Sequence, residues 1–335
     1  MKTALITTTI NVPTVLALYR KLDPSIKFFV AADHKTPLEA YTFCADIPDC
    51  EIYSPKRQKE LGYECSELLG WNTDSRRNIA LLEALKDRAD IIVSIDDDML
   101  LQNQPPCMWF EDRMLNEYDG LKFGGAKHWF DAGAFTIPKA SQRGLPIDAM
   151  YAANPEPIVG AKIGVAQGVI LGVPDTDACT AIAQKPLVHS ATDILRNGFV
   201  VDLDAFTVFN SQLVAFRREL APAFAQFYNH QGRNTDILAS VLMRRIMRDR
   251  DLYTYFGCPT GFHARAPRPL FNDLRAEMYG LERIAGFAEY LWGAEVPAGA
   301  STTVEANMLI CGFPGFSKEL KEAYGAFHND CARVM

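Results

Sequence analysis

Residues 91–100 read IIVSIDDDML, a short apolar run that ends in three consecutive aspartates. The first five residues have the length and β-branched character of a strand covered on both faces, as strands of a parallel sheet are. Adjacent carboxylates repel one another, so Asp96, Asp97 and Asp98 call for a cation nearby. In open parallel sheets ligands gather beyond the carboxyl ends of the strands, which is where this triplet falls.

Upstream of that strand the chain alternates β-rich runs with helical patterns. Strands are expected at 4–10, 27–32 and 51–53. A helix is expected over 78–88, with Ile79, Leu82 and Leu85 on one face and Thr73, Asp74 or Ser75 as its cap. This order implies βαβ units and a mainly parallel sheet. The polar residues that close the strands, Thr7 to Thr9, Asp33 and Asp96 to Asp98, then share one edge. Downstream, 103–160 is rich in Pro, Gly and aromatic residues and reads as loops with short strands. Strands follow at 165–173, 206–210 and 253–256, and a helix over 236–248 with Ile237, Leu238, Val241, Leu242 and Ile246 as its apolar stripe. Two helical patterns near 277–292 and 317–328 suggest a cover or a contact between copies of the chain.

Composition sets the outer limits. In 335 residues, 34 basic and 41 acidic side chains leave a net charge of −7, and 48% of the residues are hydrophobic. Such a chain folds; it is neither disordered nor built to coat nucleic acid or an anionic membrane. No apolar window approaches the roughly 18 residues of a membrane helix, and no export signal is evident, so a cytoplasmic location is expected. Eight cysteines without a C-x-x-C pair are expected to be reduced thiols rather than a zinc site or disulfides.

Asp-x-Asp after a buried strand suits a divalent ion bound against a diphosphate, because carboxylate and phosphate oxygens are hard ligands for Mg²⁺ or Mn²⁺. Arg76 and Arg77 lie in the first turn of a helix, where the macrodipole disfavours cations and a bound phosphate would reverse that penalty. Asp33 follows the second strand and can face a base or ribose, or close an Asx turn. Far along the chain, GRNTDILASVLMRRIM places Asp236 at a helix start, and GCPTGFHARAPRP places His263 in a turn where a neutral imidazole can complete a metal shell. No phosphate-binding G-x-x-x-x-G-K-[ST] loop is present, and Gly160, Gly164 and Gly168 have the wrong spacing for a dinucleotide fingerprint. An aspartyl phosphatase using Asp96 and Asp98 is a minor alternative.

Taken together, SIDDDM, GVPDTDACT, GRNTDILASVLMRRI and GCPTGFHARAPRPLFNDLRAE resemble blocks of the reversibly glycosylated polypeptides, the plant UDP-arabinopyranose mutases of glycosyltransferase family 75. The resemblance implies a GT-A-type, Rossmann-like fold with a C-terminal helical extension, a UDP-sugar donor and Mn²⁺ or Mg²⁺. It implies a nucleotide-sugar-binding half at 1–125, an acceptor-binding and metal-completing half at 126–280, and the extension at 281–335. It places Asp98 and His263 at the metal, Asp96 at the metal or ribose, and Asp97 beside the nucleotide sugar. Thr8, Thr9 and Asp33 would lie around the uridine, with Arg76 and Arg77 near the diphosphate. Asp236 would face the sugar or acceptor as the catalytic residue, helix capping being its other reading. Read from the residues themselves, Asn234 and the aromatic loop with His128, Trp129 and Asp131 are candidates for the acceptor site, with buried packing the leading reading of that loop. The plant family's Leu-Arg-Glu-Gly segment has no match: in RGLPIDAMYAANPEP, Arg143 stands early and no arginine occurs from 144 to 195. Transfer to a separate acceptor is therefore expected ahead of mutase activity or self-glycosylation, with a non-catalytic UDP-sugar-binding subunit as the alternative of another class. No nucleic acid partner and no membrane insertion are expected, and the C-terminal helices are a possible surface for a homo-oligomer.

Overall fold

The structure is a computed structural model and describes residues 1–102, 106–147, 149–151, 154–265 and 268–335, the side chains of 106–109 excepted. Parts of the loop expectation for 103–160 therefore lie outside the described residues. The strands are β1 (Thr3–Thr9), β2 (Lys27–Ala32), β3 (Cys50–Tyr53), β4 (Ile91–Ile95), β5 (Met99–Leu101), β6 (Tyr118–Phe123), β7 (Thr136–Ile137), β8 (Pro155–Gly172), β9 (Ser190–Ala191), β10 (Phe199–Val201), β11 (Leu213–Arg217) and β12 (Leu252–His263). The helices of the first half are α1 (Val15–Leu22), α2 (Leu38–Ala45), α3 (Pro55–Glu60), α4 (Arg77–Lys86) and α5 (Pro106–Leu115). Those of the second are α6 (Ala178–Gln184), α7 (Asp193–Asn197), α8 (Tyr228–Gln231), α9 (Thr235–Arg248), α10 (Leu270–Leu281), α11 (Ile284–Gly293), α12 (Thr302–Gly312) and α13 (Lys318–Val334).

Ten strands form one sheet in the order β3-β2-β1-β4-β11-β8-β6-β10-β12-β5, and β8 also pairs with β12. The first four are all parallel, as the alternating pattern predicts, and β4 is buried along its whole length. Beyond β4 the sheet is mixed, with β8 parallel to β12 and β6 parallel to β10. Here β11 runs antiparallel to both β4 and β8, β6 antiparallel to β8, and β12 antiparallel to β10 and β5. The sheet is mixed because this half of the chain returns through hairpin-like and loop connections instead of repeating βαβ crossovers.

Other differences are local. Residues 206–210 form no strand: Phe206 makes an isolated bridge with Trp129, and the Asn210 side chain turns the chain by accepting from the Gln212 amide (3.1 Å) before β11 begins. The pattern at 277–292 is two helices, α10 and α11, and α12 was not expected at all. The apolar faces of α11, α12 and α13, including Phe287, Leu309, Leu320, Tyr324 and Phe327, pack into the core on one side of the sheet. These faces cover one side of the sheet within the chain, the first of the two expected roles. No helix among the described residues is long and apolar enough to cross a membrane.

Candidate functional site

A cavity of about 390 Å³ opens at the carboxyl ends of β1 and β4, between which the strand order changes direction. Thr8, Thr9 and Ile10 from the end of β1, Asn72 to Asp74 from the turn before α4, and Asp96 and Asp97 form its first-half walls. Arg143, Ser211, Gln212, Tyr228, Arg233, Asp236, Arg265, Arg268 and Asp273 close it from the second half. Residues from both halves of the chain thus meet over one strand edge.

The three aspartates have three different environments. Asp96 Oδ1 accepts from Arg77 Nη2 at 2.6 Å, and Arg77 is itself buried and also donates to the Ile95 carbonyl. This pair answers both the repulsion within the triplet and the awkward cation at the start of α4. Asp97 accepts from the Thr9 hydroxyl, yet burial and the charges of Asp96 and Asp98 push its carboxyl up to about 6. Burial works to raise Asp98 as well, but the hydrogen bond and charge of His263, together with Arg265, hold it below its usual value.

His263 Nε2 lies 3.1 Å from Asp98 Oδ2, on a ring that is 1% exposed and whose Nδ1 has no hydrogen-bond partner among the described residues. The register explains the meeting: His263 at the end of β12 is opposite Met99 at the start of β5, so the residue before Met99 faces the imidazole. Among the described residues no three His, Cys, Asp or Glu side chains converge as a closed metal cage. Asp98 and His263 are not among the residues that line the cavity, but Asp98 directly follows Asp97 and His263 precedes Arg265 by two positions. One carboxylate with one imidazole are donors for a hard divalent ion of the kind that keeps waters and takes phosphate oxygens for its remaining positions.

Arginines dominate the opposite wall. Arg143 is buried and bridges two acids: Nε lies 3.0 Å from both Asp175 oxygens, and Nη2 lies 3.0 and 2.9 Å from those of Asp236. Although burial works against its charge, these carboxylates hold Arg143 well above its ordinary value, and Asp175 is driven below its own. Arg233 pairs with Glu277 (2.8 Å) and Asp273 (3.1 Å). Arg268 Nε reaches Asp273 at 2.7 Å, but burial and the neighbouring charges of Arg265 and Arg233 lower its guanidinium to about 10. Arg265 reaches Asp175 at 3.9 Å and acts on Asp98 through its charge, and its buried Nη1 has no hydrogen-bond partner among the described residues. Arg265 and Arg268 therefore retain donors for an anion. Across the cavity Asp74 is pushed up to about 6, chiefly by burial, and its buried Oδ1 has no hydrogen-bond partner among the described residues.

Thr8, Thr9, Arg77, Asp96, Asp97 and Asp236 thus line one cavity, and Asp98 with His263 stands two residues from its Arg265. Asp236 is saturated: besides Arg143 it accepts from the Ser211 amide and hydroxyl and caps the Ile237 amide. Of the two expected parts, taking a proton or orienting the sugar, this occupancy leaves its carboxylate suited to the second. Arg76 points elsewhere, with its guanidinium donating to Gln58 and Ser66 and stacking 3.6 Å over Trp71. The Asp33 carboxylate accepts from the amides of His34, Asn72 and Thr73, and so fixes the turn before α4 without facing the cavity. His128, Trp129, Asp131 and Asn234 do not line it either. Trp129 packs on Phe206, Asp131 caps a short turn through the Gly133 amide, and Asn234 is buried between Arg143 and the Glu277 carbonyl. Sequence reasoning missed Arg143, Arg233, Arg265, Arg268 and Asp74. Three of those arginines stand within the quoted blocks GRNTD and HARAPRP, where the acid and the histidine drew attention first.

No family model matches the chain, and no curated protein does. Among solved structures, a mannosyltransferase from Pyrobaculum calidifontis, determined in complex with GDP-Man and Mn²⁺, aligns with 99% of this chain and 86% of its own at 14% identity. Its TM-score is 0.39, a level of similarity that carries no argument about this chain.

Proposed function

We propose that the chain is a divalent-ion-assisted glycosyltransferase that moves a sugar from a UDP-sugar to a separate acceptor. One observation carries the reading: across a single cavity at the strand switch point, the carboxylates that end β4 face Arg265 and Arg268, whose donors the protein leaves partly unused. A nucleoside diphosphate is the ligand class that satisfies both walls, arginines directly and carboxylates through a cation. Thr8, Thr9 and the turn at Asn72 and Thr73 offer the nucleoside side of the cavity. Asp98 and His263 would hold Mn²⁺ or Mg²⁺, which when bound supplies positive charge opposite the departing diphosphate. Arg265 and Arg268 orient the phosphates, and Asp236, locked by Arg143, positions the wall against which the sugar rests. Asp74 has an unpartnered oxygen and a carboxyl raised toward neutrality, the properties needed to take the acceptor's hydroxyl proton.

The test is a calorimetric titration of UDP with and without Mn²⁺, followed by incubation with UDP-sugars and product analysis. Mn²⁺-dependent UDP binding with release of UDP from one UDP-sugar is the expected result. Isomerised sugar nucleotide would replace the transferase reading by a mutase. Absence of UDP binding would overturn both.

A further inference from the structure

A second cavity of about 390 Å³ borders the first, and Arg265 and Arg268 line both. Its remaining wall is mostly apolar, with Val173 and Pro174 just after β8, Ala181 on α6, Pro186 and Leu187 after it and Leu270 at the start of α10, and Thr176 and Lys185 are its polar members. Backbone bonds fix these walls. Gly172 and Val188 exchange two hydrogen bonds (2.9 and 2.8 Å), and the Val173 amide donates to the His263 carbonyl at 2.9 Å. The segment that shapes the apolar cavity is therefore tied to the residue that faces Asp98. Leu187 is 47% exposed, so an apolar side chain stands uncovered at its edge.

From this geometry we infer that the second cavity is the acceptor site, and that the acceptor is a hydroxyl compound carrying an aliphatic group. The inference rests on the nucleotide-sugar reading of the first cavity. A sugar leaving the diphosphate beside Arg265 and Arg268 must meet an acceptor within bonding reach of that arginine pair, and the space directly beyond it is apolar. A volume of this size encloses a small-molecule aglycone. In the transfer the acceptor oxygen forms the new bond to the anomeric carbon, the bond from that carbon to the diphosphate oxygen breaks with its electron pair leaving on UDP, and the hydroxyl proton passes to a carboxylate of the first cavity.

The experiment uses methyl, butyl, hexyl and octyl glucosides below their micellar concentrations. Each is assayed for transfer with a UDP-sugar and Mn²⁺, and octyl glucoside is also titrated calorimetrically without donor. The acceptor KM should fall by about threefold or more for every two methylenes, as partial burial of each methylene predicts. Leu187→Gln, at a half-exposed position where folding is not at stake, should flatten that dependence and weaken octyl glucoside binding while UDP affinity stays unchanged. Equal KM values across the series with UDP binding intact would overturn the acceptor site alone. Octyl glucoside binding that Leu187→Gln abolishes, in a protein that does not bind UDP, would overturn the nucleotide-sugar reading and keep the apolar site. Sedimentation with phosphatidylcholine vesicles, lost in Leu187→Gln and without any chain-length effect on transfer, would assign the apolar patch to a membrane surface and overturn the inference.

Discussion

Arg76 and Arg77 are neighbours in sequence and have unrelated roles. Arg77 faces the cavity and neutralises Asp96, whereas Arg76 turns back to join Ser66, Gln58 and Trp71. Arg76→Ala should therefore lower stability by about 3 kcal/mol, the order of one or two lost charged hydrogen bonds, and leave UDP affinity of the folded protein unchanged; thermal melts with calorimetry check it. Asp98→Ala should remove the Mn²⁺-dependent part of UDP binding, and unchanged titrations in that variant would remove Asp98 from the ion site. Asp74 is raised to about 6, so its base form accumulates as pH rises through 6. Turnover should rise with it, and Asp74→Asn should lower kcat at least a hundredfold with UDP affinity retained. Asp97 titrates in the same range, so the pH profile of the Asp74→Asn variant is the control. The carboxylate triplet was readable because a buried strand leaves its end only one place to go. The division of labour between two adjacent arginines was not, because it depends on how α4 is rotated about its axis against the sheet.

At the scale of elements, the sequence pattern was most informative where burial on both faces or a single face is imposed by the sheet. Strand β4 and the helices α4 and α9 appear within two residues of their expected positions, and α13 starts where expected but runs six residues further. The misplaced strand at 206–210 shows the limit: that segment is fully buried and apolar, but its polar end at Asn210 and Ser211 is taken up by Gln167 and Asp236, so pairing starts only at Leu213. The start of α9 is fixed by Arg143, which ties it to the segment after β8 through Asp175. Arg143→Met would leave two buried carboxylates without their cation. A loss of about 3–5 kcal/mol is expected in chemical denaturation, with weaker UDP binding in whatever remains folded. Arg143 could not be assigned from sequence because both of its partners are distant and neither spacing carries a pattern.

For the whole molecule, the C-terminal helices are part of the body of the protein. His328 on α13 is buried, donates from Nε2 to the Pro222 carbonyl (3.1 Å), and burial lowers its pKa to about 4. Its folded pKa is depressed below the unfolded value of about 6.5, so the neutral ring contributes stability above pH 6.5 that is lost as pH falls toward 4. The contribution lost by pH 5 is about 2 kcal/mol. His328→Gln should lack this loss, so the stability difference between wild type and variant, measured by urea unfolding at pH 7 and pH 5, should shift in the variant's favour by that amount. Asp74 and Asp97 act in the opposite sense between pH 4 and 6, which is why the comparison with the variant, and not the wild-type curve alone, isolates the histidine. The order of the sheet has a further consequence. Strand β6, from the first 125 residues, is inserted between β8 and β10, and β5 lies on the far edge against β12. The two halves are laced together, so a chain cut after residue 125 should yield two fragments that each expose unpaired strand edges and regain UDP binding only when mixed, as a split protein whose reassembly reports its own folding.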